Sequence, residues 1–416
     1  MERTILHADM NNCYASIEAK LNPKLKGRPI AVCGSVEDRH GIVLAKSQEA
    51  KAFGVKTGEA IWQAKNKCRN LIIVPPNFEE YLKHSRMARE IYLEYTNQVE
   101  PFGIDECWLD VTNSKNLFGN GQEIAEILRK RIKSELGITI SVGVSFNKVF
   151  AKLGSDLKKP DAVTNIPQSE FKKIVWSLKV DEMIGIGRAT KKKLLGCGIL
   201  TLGDLANSDV QRIKNLLGKN GVYLWQCSNG RDFSPVKDNN FQPEIKSIGR
   251  GITCREDLIN LDEIRRVFRE LSFLVSKKLR EFGFWAKGVQ ITIRDNELNT
   301  KQYQALLENQ TQNSLTLTDE AMEIFRNKHN FNLPLRSITL RAINLSNKSE
   351  AQQLNFFDDY ETQLKKEKVD RAIYDIRKRY GKEKISFASQ MFDLKLPKIL
   401  TSIQPFNENK QKTFSI

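Results

Sequence analysis

Three acidic residues occupy positions where their carboxylates could do chemistry. Asp9 follows a predicted strand over 4–8, and Asp105 and Glu106 lie where the predicted strands VEPFGI and ECWLDVT meet. Apolar residues flank all three, and a buried carboxylate is costly unless a cation or a donor satisfies it. Oxygen ligands without a nearby His or Cys favour Mg²⁺ over zinc. Two such ions could activate a hydroxyl and stabilise a pyrophosphate leaving group. Ordinary turn residues of a hairpin are the alternative.

The elements around these carboxylates predict an interrupted α/β unit. Without the segment 11–76, the order is strand, helix, strand, strand, helix, strand, ending in ITISVGVSF. The helices cover 78–95 and the stretch that places Ile124, Leu128, Ile132 and Leu136 on one face. This order predicts an antiparallel-rich sheet with helices on one face. The inserted segment begins with a helix over 12–20 and holds the strand-like runs PIAVCG, GIVLAKS and LIIVPP.

The rest of the chain predicts a helical region, a linker and a second α/β unit. The helical region spans 166–230 and contains MIGIGRATKKKLLGCGI, and a polar, proline-bearing linker follows. In the second unit, the strands KSIGRGITC, GVQITIRD and SITLRAINL alternate with helices over 261–282 and 317–330. A polar tail then carries QQLNFFDD and a helix over 365–380.

Composition favours an intracellular protein with a polyanionic partner. The 416 residues suffice for two to four domains, and 66 Lys+Arg against 50 Asp+Glu give a net charge of +16. Such an excess favours nucleic acid, although solvated lysine faces are the alternative. Seven scattered cysteines and four histidines indicate neither a zinc site nor a disulfide framework. The N-terminus lacks the apolar stretch of a signal peptide and no apolar run approaches ~18 residues, so we expect a cytoplasmic protein without a membrane segment.

Five sequence runs resemble, in order, the motifs of Y-family (translesion) DNA polymerases. They are HADMNNCYASIE, FGIDECWLDVT, ISVGVSFNKVFAKLGSDLKKP, GIGRATKKKLLGCGI and EIKSIGRGITCREDL, and they cover most of residues 3–258. The run SQEAKAFGVKTG is more similar to the bacterial polymerase V catalytic-subunit type than to polymerase IV. The resemblance implies template-directed, error-prone translesion synthesis by two-metal nucleotidyl transfer, in DNA repair and damage tolerance.

The resemblance also implies a right-handed polymerase of the α/β (α+β) class. The implied domains are a ferredoxin-like palm (1–10 and 77–165), small fingers (11–76), a helical thumb with a helix-hairpin-helix (166–233), a linker (234–242), an α/β little finger (243–346) and a tail (347–416).

The implied metal site takes two Mg²⁺ ions, with Mn²⁺ as a substitute. Its ligands are Asp9, Asp105, Glu106 and the backbone carbonyl of Met10. Tyr14 is implied as the steric gate against ribonucleotides, and an ordinary core tyrosine is the alternative.

Three residues depart from the family pattern in this pocket. Asn11 replaces a common Asp, Cys13 a common aromatic residue and Gly103 a common Ser. The departures concern the shape of the pocket, since the ligands themselves match.

Gln48, Lys51 and Lys159 correspond to the family's triphosphate contacts. A lysine holds phosphate as a point charge, with less geometric specificity than an arginine fork. Lys148 and Lys152 are interpreted as solvated.

Two further regions are expected to contact primer-template DNA. Gly185 and Gly187 form a tight turn, with Lys191 to Lys193 nearby, that fits a helix-hairpin-helix grip on the phosphate backbone or a simple helix cap. In the little finger, the candidate phosphate contacts are basic residues of the predicted strands and their ends: Lys246, Arg250, Arg255, Arg294, Arg336 and Arg341.

The expected partners are primer-template DNA, deoxyribonucleoside triphosphates and the sliding clamp (beta). The tail run Gln353, Leu354, Asn355, Phe356 and Phe357 resembles the bacterial clamp-binding peptide, and docking on its own chain is the alternative. A recombinase filament or accessory subunit is left open. Two other classes remain: a nucleotide cyclase, which the basic hairpin region disfavours, and a catalytically silent DNA-binding protein, which leaves the placed carboxylates unexplained.

Overall fold

The computed structural model describes residues 3–39, 41–347, 360–381, 384–388 and 395–397. They fall into two compact units, one within 1–34 and 42–242 and the other within 35–41 and 243–416. Within the described residues, no helix combines the length and the apolar character needed to cross a membrane.

The first unit contains two sheets and a group of helices. Its strands are β1 Ile5–Met10, β2 Ile30–Cys33, β3 Val43–Lys46, β4 Ile72–Val74, β5 Val99–Phe102, β6 Glu106–Asp110, β7 Ile140–Ser145 and β8 Val163–Ile166. Its helices are α1 Cys13–Leu21, α2 Gln48–Ala52, α3 Ile61–Lys67, α4 Phe78–Leu93, α5 Lys115–Phe118, α6 Gly121–Arg131, α7 Lys148–Leu157, α8 Phe171–Val175, α9 Arg188–Gly196, α10 Leu202–Asn207, α11 Val210–Leu217 and α12 Lys219–Ser228.

The larger sheet has the order β5-β6-β1-β7-β8, with β1 antiparallel to both β6 and β7. Successive side chains of a strand point to opposite faces. Leu6, Ala8 and Met10 therefore join the main core, which α4 and α6 complete. Ile5, His7 and Asp9 face the other side, which α7 covers. The alternation of β1 thus points the first predicted ligand towards α7.

A glycine lets α7 lie against the sheet at backbone distance. A Cβ built on Gly143 of β7 would lie 1.9 Å from the carbonyl oxygen of Ala151 and 2.5 Å from the backbone nitrogen of Ser155. The helix face that carries Lys148, Lys152 and Ser155 is therefore held directly above β1 and β6.

The predicted linker packs on the first unit instead of running free. Val236 is 2% exposed and packs with Ile5 and Trp108. The backbone N–H of Lys237 donates to Glu100 Oε2 at 2.9 Å. The smaller sheet, in the order β3-β2-β4, and the helices α8 to α12 have apolar clusters of their own.

The second unit is one antiparallel sheet with helices on one face. Its elements are β9 Ser247–Leu258, α13 Leu261–Phe282, β10 Trp285–Asp295, β11 Thr300–Thr311, α14 Ser314–Lys328, β12 Leu335–Ser346 and α15 Tyr360–Tyr380, and the strand order is β11-β10-β12-β9. Helix α15 docks through Asp370, which is 1% exposed, pairs with Arg280 and accepts hydrogen bonds from Ser314. The C-terminal helix is therefore part of this unit.

Candidate active site

The fold brings the three predicted carboxylates to one end of the larger sheet. Asp9 and Glu106 are direct cross-strand partners in β1 and β6. The backbone N–H of Met10 donates to the carbonyl of Asp105 at 3.0 Å, which closes the turn between β5 and β6 against β1. Asp105 is therefore a turn residue of a hairpin, as the alternative predicted. It also lies beside the end of β1, where the ligand interpretation requires it.

Two lysines lie on these carboxylates. Lys159 Nζ is 2.6 Å from Asp9 Oδ2 and 2.8 Å from Asp156 Oδ1. Lys152 Nζ is 2.5 Å from Glu106 Oε2, and its side chain is only 15% exposed. The interpretation of Lys152 as solvated is therefore wrong, because α7 lies close enough to the sheet to turn this lysine inward.

Lys148 was also interpreted as solvated, and the structure places it in contact as well. Its Nζ lies 2.7 Å from Glu100 Oε2 and 4.4 Å from the centre of the Trp108 ring. Its side chain is 12% exposed. Lys148 thus packs against Glu100 and Trp108 and does not contact the three predicted carboxylates.

The local environment moves the pKa values of the carboxylates apart. Burial raises the pKa of Asp9 to about 7, although the Lys159 ammonium opposes this shift. Burial and the charge of Glu106 likewise raise the pKa of Asp105. Burial also disfavours ionisation of Glu106, but hydrogen bonds from His7 and Lys152 outweigh it and lower that pKa to about 2. The cluster thus combines two carboxyl groups whose ionisation is disfavoured by burial with one that its hydrogen-bond donors keep ionised.

His7 is a contact residue that the sequence analysis missed. The ring is fully buried, its Nδ1 lies 2.8 Å from Ser155 Oγ, and its Nε2 lies 3.3 Å from Glu106 Oε2. The Ser155 hydroxyl is hydrogen-bonded both to His7 Nδ1 and to the carbonyl of Lys152. The signal was available, because His7 precedes Asp9 by two residues and shares its face of a strand.

The donor set suits a divalent metal, provided that the lysines turn away. Within the parts of the chain that the structure describes, no three Asp, Glu, His or Cys side chains are arranged closely enough to enclose an ion. The nearby groups are carboxylate oxygens and the carbonyl of Met10, which hard cations prefer. Two ammonium groups now occupy Asp9 and Glu106, so a cation would replace them there.

Tyr14 lies beside the carboxylates on α1. Its ring stacks on Tyr81 with a centroid distance of 4.2 Å and meets Phe78 edge-on at 5.9 Å. Burial raises the pKa of Tyr14 to about 12, and the charge of Asp105 adds to this shift. A half-buried ring fixed by an aromatic neighbour is a rigid surface close to the predicted metal ligands.

The triphosphate candidates lie on separate elements. Gln48 begins α2 and Lys51 lies exposed on the same helix, whereas Lys159 reaches Asp9. The structure therefore joins only Lys159 directly to the carboxylates.

The glycine turn leads into the first turn of α9. Gly185 adopts a φ of +91°, and Gly187 is the residue that precedes Arg188, the first residue of the helix. Lys191 Nζ lies 2.6 Å from Asp181 Oδ2, so this lysine is paired, although its side chain remains 40% exposed. The turn lies at a helix start and not at a helix end, which favours the hairpin interpretation over a C-cap.

Two of the candidate DNA contacts lie on the open face of the second unit's sheet. Arg294 and Arg341 lie on it among neutral side chains such as Gln290, and Arg341 donates to Ser247 Oγ at 3.1 Å. Arg250 lies on the other face, because it pairs with the buried Leu340. Burial accordingly lowers the pKa of Arg250. Its place on the helix side separates Arg250 from Arg294 and Arg341, although the motif resemblance grouped all three as candidate phosphate contacts.

The other candidates of this unit lie at strand ends. Lys246 is exposed just before β9, and Arg336 lies at a register shift of β12. The backbone N–H of Arg255 donates to the carbonyl of Lys395 at 2.7 Å. The predicted clamp-binding residues Gln353, Leu354, Phe356 and Phe357 lie outside the described residues.

Comparisons with known proteins agree with the motif resemblance. Residues 8–156 match the impB/mucB/samB family, and residues 245–356 match the impB/mucB/samB family C-terminal domain. The chain is 47% identical over 381 residues to a DNA polymerase IV of Acetivibrio thermocellus, covering 92% of this chain and 96% of that protein. It is 37% identical to a DNA polymerase IV of Bacillus velezensis, covering 92% of each. These relatives carry the polymerase IV name, whereas the run SQEAKAFGVKTG favoured the polymerase V type.

A solved structure, a Y-family DNA polymerase chimera, has the same fold. It superposes with a TM-score of 0.73 at 24% identity, covering 82% of this chain and 99% of that one. The predicted α/β polymerase architecture is thereby confirmed.

Proposed function

The chain belongs to the impB/mucB/samB family of Y-family DNA polymerases, and we propose that Asp9, Asp105 and Glu106 catalyse its DNA-directed DNA synthesis across damaged template bases. The observation that carries the site assignment is the meeting of these three carboxylates at one end of the larger sheet. Their perturbed pKa values are typical of a functional site, and the two lysine ammonium groups on Glu106 and Asp9 show that both carboxylates accept a cationic partner.

Two divalent ions, Mg²⁺ or in its place Mn²⁺, would activate the primer 3′-hydroxyl and stabilise the pyrophosphate leaving group. Asp9, Asp105 and Glu106 would hold them, together with the backbone carbonyl of Met10. The chain's own part is to present these oxygens on adjacent strands, where the sheet fixes their spacing.

Lys152 and Lys159 pair with Glu106 and Asp9. With a metal ion on Asp9, the Lys159 ammonium would be free to contact the triphosphate, where Gln48 and Lys51 would add contacts from α2. Tyr14, fixed by its stack on Tyr81, would exclude a 2′-hydroxyl.

The remaining residues hold the substrate and tether the enzyme. The Gly185–Gly187 turn and Lys191 would hold the duplex backbone, and Lys246, Arg255, Arg294, Arg336 and Arg341 would contribute phosphate contacts. We extend the proposal to the sliding clamp, which the run from Gln353 to Phe357 would bind through Leu354, Phe356 and Phe357. Such a tether raises the local enzyme concentration at the primer end.

Primer extension on a damaged template tests the proposal. We expect the Asp105→Ala variant to lose extension by roughly a thousandfold or more with either Mg²⁺ or Mn²⁺, while its DNA affinity stays within about twofold. The Glu126→Gln variant, which alters a surface pair with Arg129, is the matched control and should retain full activity. Wild-type extension by Asp105→Ala would refute the site.

A further inference from the structure

Asn11 is a buried amide that connects three parts of the first unit. It follows the predicted ligands Asp9 and Met10 and is only 4% exposed. Its Oδ1 accepts hydrogen bonds from Thr139 Oγ1 at 3.0 Å and from the backbone N–H of Asp161 at 2.8 Å. Its Nδ2 donates to Ser141 Oγ at 2.9 Å. One side chain therefore joins the end of β1 to the start of β7 and to the loop that follows α7.

That loop carries Lys159, two residues before Asp161. Asp161 adopts a φ of 52°, in the left-handed region that residues other than glycine rarely occupy. Its carboxylate pairs with Arg129 at 2.8 Å and with Lys133 at 2.7 Å. The left-handed conformation of Asp161 is thus stabilised by two salt bridges from its side chain and by the hydrogen bond from its backbone N–H to Asn11.

We propose that Asn11 is a positioning residue that sets the place of the Lys159 ammonium relative to Asp9. The inference rests on the proposed function, in which Asp9 binds metal and Lys159 contacts the triphosphate. Asp9 and Asn11 are two residues apart at the end of β1, and Lys159 Nζ lies 2.6 Å from Asp9 Oδ2. Asn11 therefore ties the loop of the phosphate-binding lysine to the strand of the metal ligand.

A neutral amide suits this position. It supplies the acceptor for the Asp161 N–H and the donor for Ser141 without adding charge beside Asp9. A carboxylate would keep the two accepted hydrogen bonds but could not donate to Ser141. An apolar side chain of the same branching would leave the Asp161 N–H and the Thr139 hydroxyl without their acceptor.

Steady-state insertion of one deoxynucleotide by the full-length protein tests the inference. The Asn11→Leu variant keeps the branched shape of the side chain and removes all three hydrogen bonds. We expect its nucleotide KM to rise roughly tenfold, as the loss of the one hydrogen bond that reaches the Lys159 loop would give, while kcat changes less than about threefold. In a Lys159→Ala background, the same substitution should add no further increase. Asn11→Asp, which keeps the acceptor for Asp161, should restore KM to within about threefold of the wild-type value.

Asn120→Ala is the control for stability alone. Asn120 caps α6 by accepting from the backbone N–H groups of Gln122 and Glu123, away from Lys159. Its loss should lower Tm without changing KM. If Asn11→Leu fails to fold, Thr139→Val removes one bond to the same Oδ1 and should raise KM by about threefold, again only while Lys159 is present.

The possible results distinguish a failure of the role proposed for Asn11 from a failure of the role proposed for Lys159. An equal rise in KM for Asn11→Leu with and without Lys159 would overturn the inference alone. A lowered Tm with unchanged KM would do the same, since it would leave Asn11 as a structural residue. A wild-type KM for Lys159→Ala would overturn the proposed role of Lys159 and the inference with it.

Discussion

The ionisation of each carboxyl group at the candidate active site depends on its burial and on the donors that contact it. Glu106 has a lowered pKa because it accepts hydrogen bonds from His7 and Lys152, whereas burial raises the pKa of Asp9 despite its lysine partner. An ammonium group and a divalent cation compete for the same carboxylate oxygens. Each lysine in this cluster is therefore a competitor of the metal as well as a support for the metal-free structure.

At Lys152 this competition gives a prediction that does not depend on activity. The Lys152→Met variant removes the ammonium from Glu106 and should bind Mn²⁺ about tenfold more tightly, measured by titration of the purified protein. Lys148→Met is the matched control, because its ammonium pairs with Glu100 instead. Weaker Mn²⁺ binding by Lys152→Met would mean that Lys152 orients Glu106 for the metal instead of competing with it.

The Tyr14 ring is predicted to exclude a ribose from the nucleotide site. A ring fixed by the stack on Tyr81 cannot move aside cheaply, so its removal should admit a ribose. We expect Tyr14→Ala to raise the ratio of ribonucleotide to deoxynucleotide insertion roughly 10- to 100-fold, as the relief of a clash of about 1–3 kcal/mol would give. Tyr92→Phe, a change at a buried ring of the main core, should leave sugar selection unchanged. Unchanged sugar selection by Tyr14→Ala would mean that Tyr14 is an ordinary core tyrosine and not a steric gate.

The close approach of helix α7 to the larger sheet determines where the lysines near the carboxylates lie. Lys148 and Lys152 belong to this helix, and Lys159 lies in the loop after it. The approach depends on the absence of a side chain at Gly143, whose neighbours are backbone atoms. Backbone atoms cannot yield as a flexible side chain can.

Gly143→Ala should therefore displace α7. We expect it to destabilise the first unit by about 3 kcal/mol or more, measured as a lower urea midpoint by circular dichroism, and to impair primer extension. Gly196→Ala is the control, because a Cβ at Gly196 of α9 would meet nothing within 4 Å. That substitution should be neutral or slightly stabilising. A wild-type midpoint for Gly143→Ala would show that the helix can shift without cost.

The sequence allowed prediction of the elements whose hydrophobic period is clear. Helix α13 has the predicted bounds of 261–282, and β1 lies within two residues of its prediction. β11 was missed, because TKQYQALLENQT is mostly polar and its order comes from pairing with β10. The carboxylates were predictable from the motifs, but the contacts of Lys152 were not, since they depend on the distance between α7 and the sheet. The face of Arg250 was predictable, because it alternates in step with Ile248 and Ile252.

For the whole molecule, the net charge of +16 favours a polyanionic partner but does not indicate the surface that binds it. Lys148, Lys152 and Arg129 are paired within the first unit, so their charges are partly compensated. The open sheet face of the second unit carries Arg294 and Arg341 among neutral residues. Its phosphate contacts should therefore be few and individually measurable.

The salt dependence of primer-template binding can count these contacts. Each phosphate contact by a basic residue contributes a slope of about −0.9 to the plot of log affinity against log salt. Arg341→Gln should reduce the magnitude of the slope by about one, because this exposed side chain lies on the open face. Arg250→Gln is the matched control and should leave the slope unchanged, since Arg250 shares the opposite face with Leu340. Fluorescence anisotropy between low and moderate salt measures both variants. Equal losses of slope would mean that DNA reaches the helix side of the sheet, and an unchanged slope for Arg341→Gln would remove the open face from the DNA interface.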